Sequence, residues 1–121
     1  PKYPAAYRQV ISVTAVDKNF RVYRHANRGR YVDVAAPGVQ VWTAKPNNQA
    51  TFRSGTSFAV PYVTAILALA QANTNGGKSP SALLASLSIR DLGPVGHDQI
   101  YGHGLLLAPR NCEPVRVSKQ Q

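Results

Sequence analysis

The stretch RSGTSFAVPYVTAILALAQA, residues 53–72, constrains this chain more than any other. From residue 57 onward it is helical by composition and apolar on nearly every side: Phe58, Ala59, Val63, Ala65, Ile66, Leu67, Ala68, Leu69 and Ala70. A helix with no polar face is expected at the centre of a fold rather than on its surface. Pro61 fits such a helix if it falls in the first turn, where its missing N–H costs nothing. The apolar run over 58–70 is broken by Pro61, Tyr62 and Thr64. It also stops short of the roughly 18 uninterrupted apolar residues that a membrane span needs. In front of the helix stand Gly55, Thr56 and Ser57. A serine or threonine there is a common helix cap. It is equally a place where a hydroxyl, its own N–H and the positive end of the helix dipole converge on an incoming oxyanion. Gly55 would admit a substrate backbone, and the small side chains of Ser54 and Ala59 would leave the spot uncrowded. On these residues alone, cap and nucleophile both stand.

The remaining chain reads as alternating strands and helices around that segment. QVISVTAVD (9–17) is β-branched and ends in polar DKN, as a buried strand followed by a turn does. Asn27 and Gly29 punctuate the next loop. YVDVAAPG (31–38) is a short strand stopped by Pro37-Gly38, and VQVWTA (39–44) alternates as an edge strand would. KPNNQAT (45–51) is rich in turn residues and is expected to be a loop. Gly76-Gly77 is expected to end the long helix. SPSALLASL opens a second one, with Ser79 as N-cap and Pro80 at the first helical position. YGHGLLLA (101–108) is a glycine turn running into an apolar docking segment. The 121 residues suffice for one domain, residues 1–109, with a polar tail over 110–121. Cys112, the single cysteine, has no partner for an internal disulfide and no histidine near it in the tail. No residue is methionine, so an upstream segment is expected to have been removed.

A net charge of +9 raises a nucleic-acid partner. Lys18, Arg21, Arg24, Arg28 and Arg30 are interleaved with Phe20, Tyr23 and Tyr31, which could stack bases. No zinc-finger, helix-turn-helix or RNA-recognition pattern accompanies them. The cluster is therefore read as a solvated loop that attracts acidic partners, and no nucleic acid is expected.

Four motifs in register carry a resemblance. GTSFAVP resembles the serine motif G-T-S-x-A-x-P of the subtilisin-like serine proteases. YPAAYRQVISVTAVD is similar to the segment that precedes it in that family. HANRGRYVDVAAPGVQV resembles F-S-N-x-G-x-x-x-D-V-x-A-P-G-V, and YGHGLLLA the closing Y-G-x-G-x-L. Together they span residues 3–108 in the family's order. The resemblance implies an α/β fold with a mostly parallel sheet and a buried central helix starting at the serine. It also implies that the chain is the C-terminal part of a catalytic domain hydrolysing peptide bonds in peptide or protein substrates. Ser57 would be the nucleophile, with Ser54, Gly55 and Thr56 beside the substrate and the oxyanion. Phe58 stands where the family most often has methionine, Tyr62 where histidine is usual, Ser54 where asparagine is common and His25 where phenylalanine is.

The larger departure is the rest of the catalytic set. By the family's order, the catalytic Asp and His and the oxyanion Asn precede residue 3. Asp17, Asp33, His25, His97 and His103 match none of their motifs. A serine without its base is a poor nucleophile, so the chain by itself is expected to be inert. Two rival readings use the same residues. One is an α/β-hydrolase elbow at Ser57 served by Asp91 or Asp98 with His97 or His103; it needs a strand leading straight into the serine, which KPNNQATFRSG does not suggest. The other is an inert relic of the family acting as an interaction module. Loss of upstream sequence would bare apolar faces and strand edges, so the isolated chain is expected to form oligomers, with the missing N-terminal part as its natural partner. The resemblance further implies a weak Ca²⁺ or Na⁺ site at the carbonyls of Ala5, Tyr7 and Val10 with the Asp33 carboxylate. The competing reading is that Asp33 ties down its own loop. Lys2 falls where the family's specificity pocket is lined and would favour an acidic side chain there. The family's habit of secretion implies a secreted, periplasmic or cell-surface location.

Overall fold

The structure is a computed structural model that describes residues 2–74 and 77–109. The expected tail over 110–121, with Cys112, and the glycine at 76 lie outside the described residues.

Short, branched and small residues set up the sheet. β1 (Val13–Val16), β2 (Val34–Pro37), β5 (Ile89–Arg90) and β6 (Leu105–Leu106) form it in the order β1-β2-β6-β5. β1 and β2 run parallel, with Val13 opposite Val34 and Val16 opposite Pro37. β2 and β6 are also parallel, and β5 joins β6 antiparallel at the edge. The sheet is therefore parallel-dominated, as expected. The crossover between β1 and β2 is a loop held by its own bonds. The Asp17 carboxylate accepts the N–H groups of Asn19 and Arg21 at 2.8 and 2.9 Å, and Val22 bridges back to Val16.

One face of the sheet carries α1 (Thr56–Ala72) and α2 (Pro80–Ala85). Ala15, Val34, Ala36 and Leu106 from the strands meet Ala59 and Val63 of α1 and Leu84 of α2 in one core. The alanines matter here: three small side chains at the interface let the helix axis lie close to the sheet. A smaller cluster on the opposite face joins Val16, Ala35 and Leu105 to Leu92 and Tyr101. α2 begins as its sequence indicates, with Ser79 Oγ accepting the Ala82 N–H at 3.3 Å and Pro80 in the first helical position. The glycine turn before β6 is equally local in origin. Gly102 has φ +63, and a Cβ there would collide with the Asp33 carbonyl, so this position excludes side chains.

Three expectations need correction. The first concerns α1, whose burial within these residues is one-sided. Ala59 and Val63 are buried, while Val60, Tyr62 and Leu69 are 44, 44 and 50 % exposed. The described residues supply a sheet on one side of the helix and no layer on the other. The helix also ends at Ala72 with Asn73 as C-cap, ahead of the glycines. Asn73 N–H returns to the Leu69 carbonyl, so the helix stops without needing a left-handed residue.

The second correction concerns Pro61, which lies beyond the first turn. α1 starts at Thr56, so Pro61 is inside the helix and has no N–H to return to the Ser57 carbonyl. The third concerns KPNNQAT, which is a hairpin rather than a loop. β3 (Val41–Lys45) and β4 (Gln49–Arg53) pair antiparallel, with Lys45 opposite Gln49. Asn47 and Asn48 close the turn at φ +64 and +55, a region that asparagine tolerates better than most residues.

The junction of sheet and helix rests on Gly38, directly after β2. A Cβ built there would stand 2.6 Å from Ala15 Cβ and 2.9 Å from both Ala59 Cβ and the Gly55 carbonyl oxygen. Gly38→Ala should therefore cost about 1–3 kcal/mol through forced repacking. The measurement is urea denaturation of the whole protein, in which the midpoint should fall with an unchanged slope.

Candidate functional site

The site is built where β2 ends. The Gly38 carbonyl accepts the Gly55 N–H at 2.8 Å, and the Ser54 Oγ accepts the Gln40 N–H at 2.8 Å. These two bonds, one on each side of the same short segment, fix the residues that lead from β4 into α1. Gly55 is the N-cap residue, in extended backbone, and Thr56 and Ser57 are the first two residues of the helix. Ser57 is exposed.

This placement removes the capping role from Thr56 and Ser57 on geometric grounds. The capping position belongs to Gly55, which has no side chain, and no side-chain cap hydrogen bond is made at this helix end. Neither Thr56 nor Ser57 is spent on capping. The first turn carries no acidic residue either, so it does not itself compensate the positive end of the dipole. The missing N–H at Pro61 also leaves the Ser57 carbonyl without its helical donor. An exposed hydroxyl, free backbone donors and a partial positive charge therefore meet at the carboxyl ends of β1 and β2. In parallel sheets, that is the edge where ligands bind.

The other sequence-predicted residues distribute unevenly around this point. Ser54 is beside Ser57 and acts as a strut through Gln40. His25 also lies at this end: with Arg21, Arg24, Gln40 and Ser54 it lines a pocket of about 400 Å³. Arg24 Nε donates to His25 Nε2 at 2.8 Å, so that nitrogen of His25 carries no proton in this arrangement. Lys2 is exposed, and its segment is internally bonded, with Ala6 N–H on the Lys2 carbonyl at 2.9 Å and Val10 N–H on the Tyr7 carbonyl at 3.0 Å. The Asp33 carboxylate accepts the Ser12 N–H at 2.7 Å, which is the loop-tying role. Val10 and Asp33 both line a pocket of about 270 Å³. Ala5 and Tyr7 stand in the neighbouring turn, where the Tyr7 carbonyl oxygen keeps a second lone pair.

His97 and His103 are at the wrong end of the sheet to serve Ser57. His97 Nε2 is 2.8 Å from the Val32 carbonyl oxygen, the His103 N–H donates to the Asp33 carbonyl, and the two rings stack edge to face at 4.8 Å. All this precedes β2, whereas Gly38 and the helix start follow it. The strand between them, four residues long, accounts for roughly 13 Å at about 3.3 Å each. A strand does lead toward the serine, contrary to expectation, but β4 pairs only with β3 in a separate two-stranded sheet. An α/β-hydrolase elbow needs its strand inside the parallel sheet.

Gly38 and Gln40 position the site, a role that sequence reasoning missed. Gly38 is legible as a strand stop and as the glycine of the A-P-G-V motif, and no sequence signal marks Gln40, whose contribution is a backbone N–H.

Comparison with known proteins gives the family. A model of the Subtilase family matches residues 1–104. The chain is 44% identical over 66 residues to a thermophilic serine proteinase of Bacillus sp. strain AK1, covering 54% of this chain and 16% of that protein. It is 36% identical over 106 residues to subtilisin DY of Bacillus licheniformis, covering 86% of this chain and 37% of that protein. It is 32% identical over 110 residues to the minor extracellular protease Epr of Bacillus subtilis, covering 86% of this chain and 16% of that protein. The chain thus spans well under half the length of these relatives. Others of similar identity include one named as an intracellular serine protease, from Paenibacillus polymyxa.

The loop carrying Arg21 and Arg24 has a pH signature of its own. Hydrogen bonds from the Arg21 and Asn19 N–H groups, with the charges of Arg21 and Lys18, hold the Asp17 carboxyl below its ordinary 3.8. A depressed carboxyl stabilises the fold above its unfolded pKa, and that contribution is lost as pH falls through the folded value. Asp17→Asn should therefore flatten the acid limb of a melting-temperature profile below roughly pH 4 and leave the neutral limb parallel to wild type.

Proposed function

Because the chain belongs to the subtilase family, we propose that it is the C-terminal part of the catalytic domain of a serine endopeptidase, with Ser57 as its nucleophile. One observation carries this reading: Ser57 is an exposed hydroxyl in the first turn of a helix whose cap is a glycine, so it is committed to nothing else. Ser57 Oγ adds to the carbonyl carbon of the scissile peptide, and its proton passes to a base contributed by upstream sequence. The carbonyl oxygen becomes an oxyanion, held by the Ser57 N–H with help from the Thr56 hydroxyl and an upstream asparagine. Collapse expels the amine, which takes the proton back from the base, and leaves an acyl ester on Ser57. Water then repeats the cycle to release the acid.

The base, its orienting carboxylate and the asparagine lie upstream in this proposal, and the chain alone is inert. The exposed side of α1 opposite Ala59 and Val63, with Pro61, Thr64, Ala65 and Ala68, supports a covering layer from that same upstream part. An isolated chain would instead meet a second copy through this face. Lys2 would favour an acidic substrate side chain. Asp33 with the carbonyls of Ala5, Tyr7 and Val10 would hold a weak Ca²⁺ or Na⁺ ion, which adds stability rather than chemistry. Secretion or cell-surface display is proposed with these, supported by a relative named as extracellular. No described helix is long and apolar enough to cross a membrane.

A fluorophosphonate should label the whole protein at Ser57 and leave the isolated chain unlabelled. Ser57→Ala should lower kcat by several orders of magnitude, a scale taken from subtilisin itself. Labelling of the isolated chain would contradict the dependence on upstream residues. An unlabelled whole protein would leave the inert relic as the better reading. The cation proposal is separate: calcium should raise the melting temperature of the whole protein and Asp33→Ala should abolish the rise, whereas indifference to both calcium and chelator removes the site.

A further inference from the structure

The β3–β4 hairpin is folded with its aromatic face outward. Trp42 and Phe52 are directly opposite each other in the ladder, with ring centroids 4.8 Å apart, yet they are 63 and 61 % exposed. The opposite face of the same hairpin, with Val41, Thr43 and Thr51, is the partly buried one. Shifting the register by one residue would exchange the two faces and bury the large rings, which is the arrangement hydrophobic burial ordinarily selects. The hairpin thus gives its small side chains to the molecule and its two largest apolar groups to whatever lies outside.

These rings are one wall of a pocket of about 390 Å³ that also receives Phe20, Tyr62 and Lys18. Arg90 lies 4.7 Å from the centre of the Phe20 ring and holds that wall by a cation–π contact. The pocket shares Asp17, Val39 and Gln40 with the basic pocket of Arg21, Arg24, His25 and Ser54. The two form one continuous surface that ends at Ser54, the strut of the serine-bearing segment. Arg24 spends its Nε–H on His25 and keeps its terminal N–H groups for a carboxylate.

We propose that this surface is a substrate exosite: it takes an aromatic or large aliphatic side chain of a polypeptide substrate between Trp42, Phe52 and Tyr62, and an acidic side chain at Arg21 and Arg24. The inference rests on the protease reading for the identity of the occupant as substrate. Two features select that occupant. The apolar pocket is continuous with the segment that carries Ser57, so a chain bound at the serine can extend into it. The charged groups along the way are predominantly basic, which suits an acidic segment.

The test compares, on the whole protein, a short core peptide with the same peptide extended at both ends by a segment of Phe or Leu flanked by Asp and Glu. The extended peptide should show a kcat/KM about tenfold higher, carried by KM. Trp42→Thr with Phe52→Thr, which keeps β-propensity in the hairpin, should remove that gain and leave turnover of the core peptide unchanged. Arg24→Gln should remove the part of the gain that depends on the acidic residues and fades with added salt. Equal cleavage of the two peptides by wild type, or a gain that survives the double threonine variant, overturns the exosite. So does a variant that changes only the oligomeric state in light scattering, since the occupant would then be a second copy. If neither peptide is cleaved and no fluorophosphonate label appears, the protease reading has failed. Titration calorimetry of the extended peptide on the Ser57→Ala protein, with and without the threonine pair, then decides the exosite independently.

Discussion

The structure depends on one close approach. At Gly38 the end of β2, the β1 residue Ala15 and the α1 residue Ala59 come within a distance that leaves no room for a methyl group. Because the glycine has no side chain, its carbonyl can also reach the Gly55 N–H. A single position therefore sets how near the helix lies to the sheet and where the helix begins. The nucleophile candidate inherits its position from this contact rather than from its own side chain. Ala15, Ala36 and Ala59 serve the same end, since bulkier core residues would hold the helix off the strands.

What the sequence disclosed and what it concealed divides along a physical line. Features decided within a few residues were legible: the Ser79 cap with Pro80, the glycine turn before β6 and the Val/Ala-rich strands β1 and β2. Family motifs made Ser57 legible too, although the residues around it supported a cap equally well. What eluded sequence reasoning depended on the rest of the molecule. The polar run over 45–51 looks like a loop, yet its two asparagines accept the backbone of a tight turn and its flanks pair with each other. The all-round apolar character of α1 suggests an enclosed helix, but within these residues only the Ala59 and Val63 side is buried. Gln40 acts through its backbone, which no side-chain pattern reveals.

The site divides its chemistry between what a backbone can do and what ionisable side chains must do. The described residues contribute a dipole end without a neutralising acid, unspent N–H groups and a hydroxyl relieved of capping. These groups favour negative charge on a bound oxygen and need no proton transfer of their own. Asp33 and Asp98, with His97 and His103, are tied into loops at the far end of β2. The division leaves Ser57 with backbone donors beside it and, among the described residues of these loops, no proton-moving group from the far end of β2 within its reach. It also explains why the hairpin beside it is free to present rings to solvent, since none of the catalytic geometry runs through β3 or β4.

The sheet order has a bearing on when this site can come into being. β6 is the last strand among the described residues but lies between β2 and β5, so the sheet has a gap in its middle until residues 105–106 arrive. During synthesis, α1 is complete long before β2 acquires its second neighbour. Until then α1 has only a half-paired strand beside it, with long-range contacts still unmade. The surroundings of Ser57 are thus complete only once a leucine pair some fifty residues later in the chain has taken its place in the sheet.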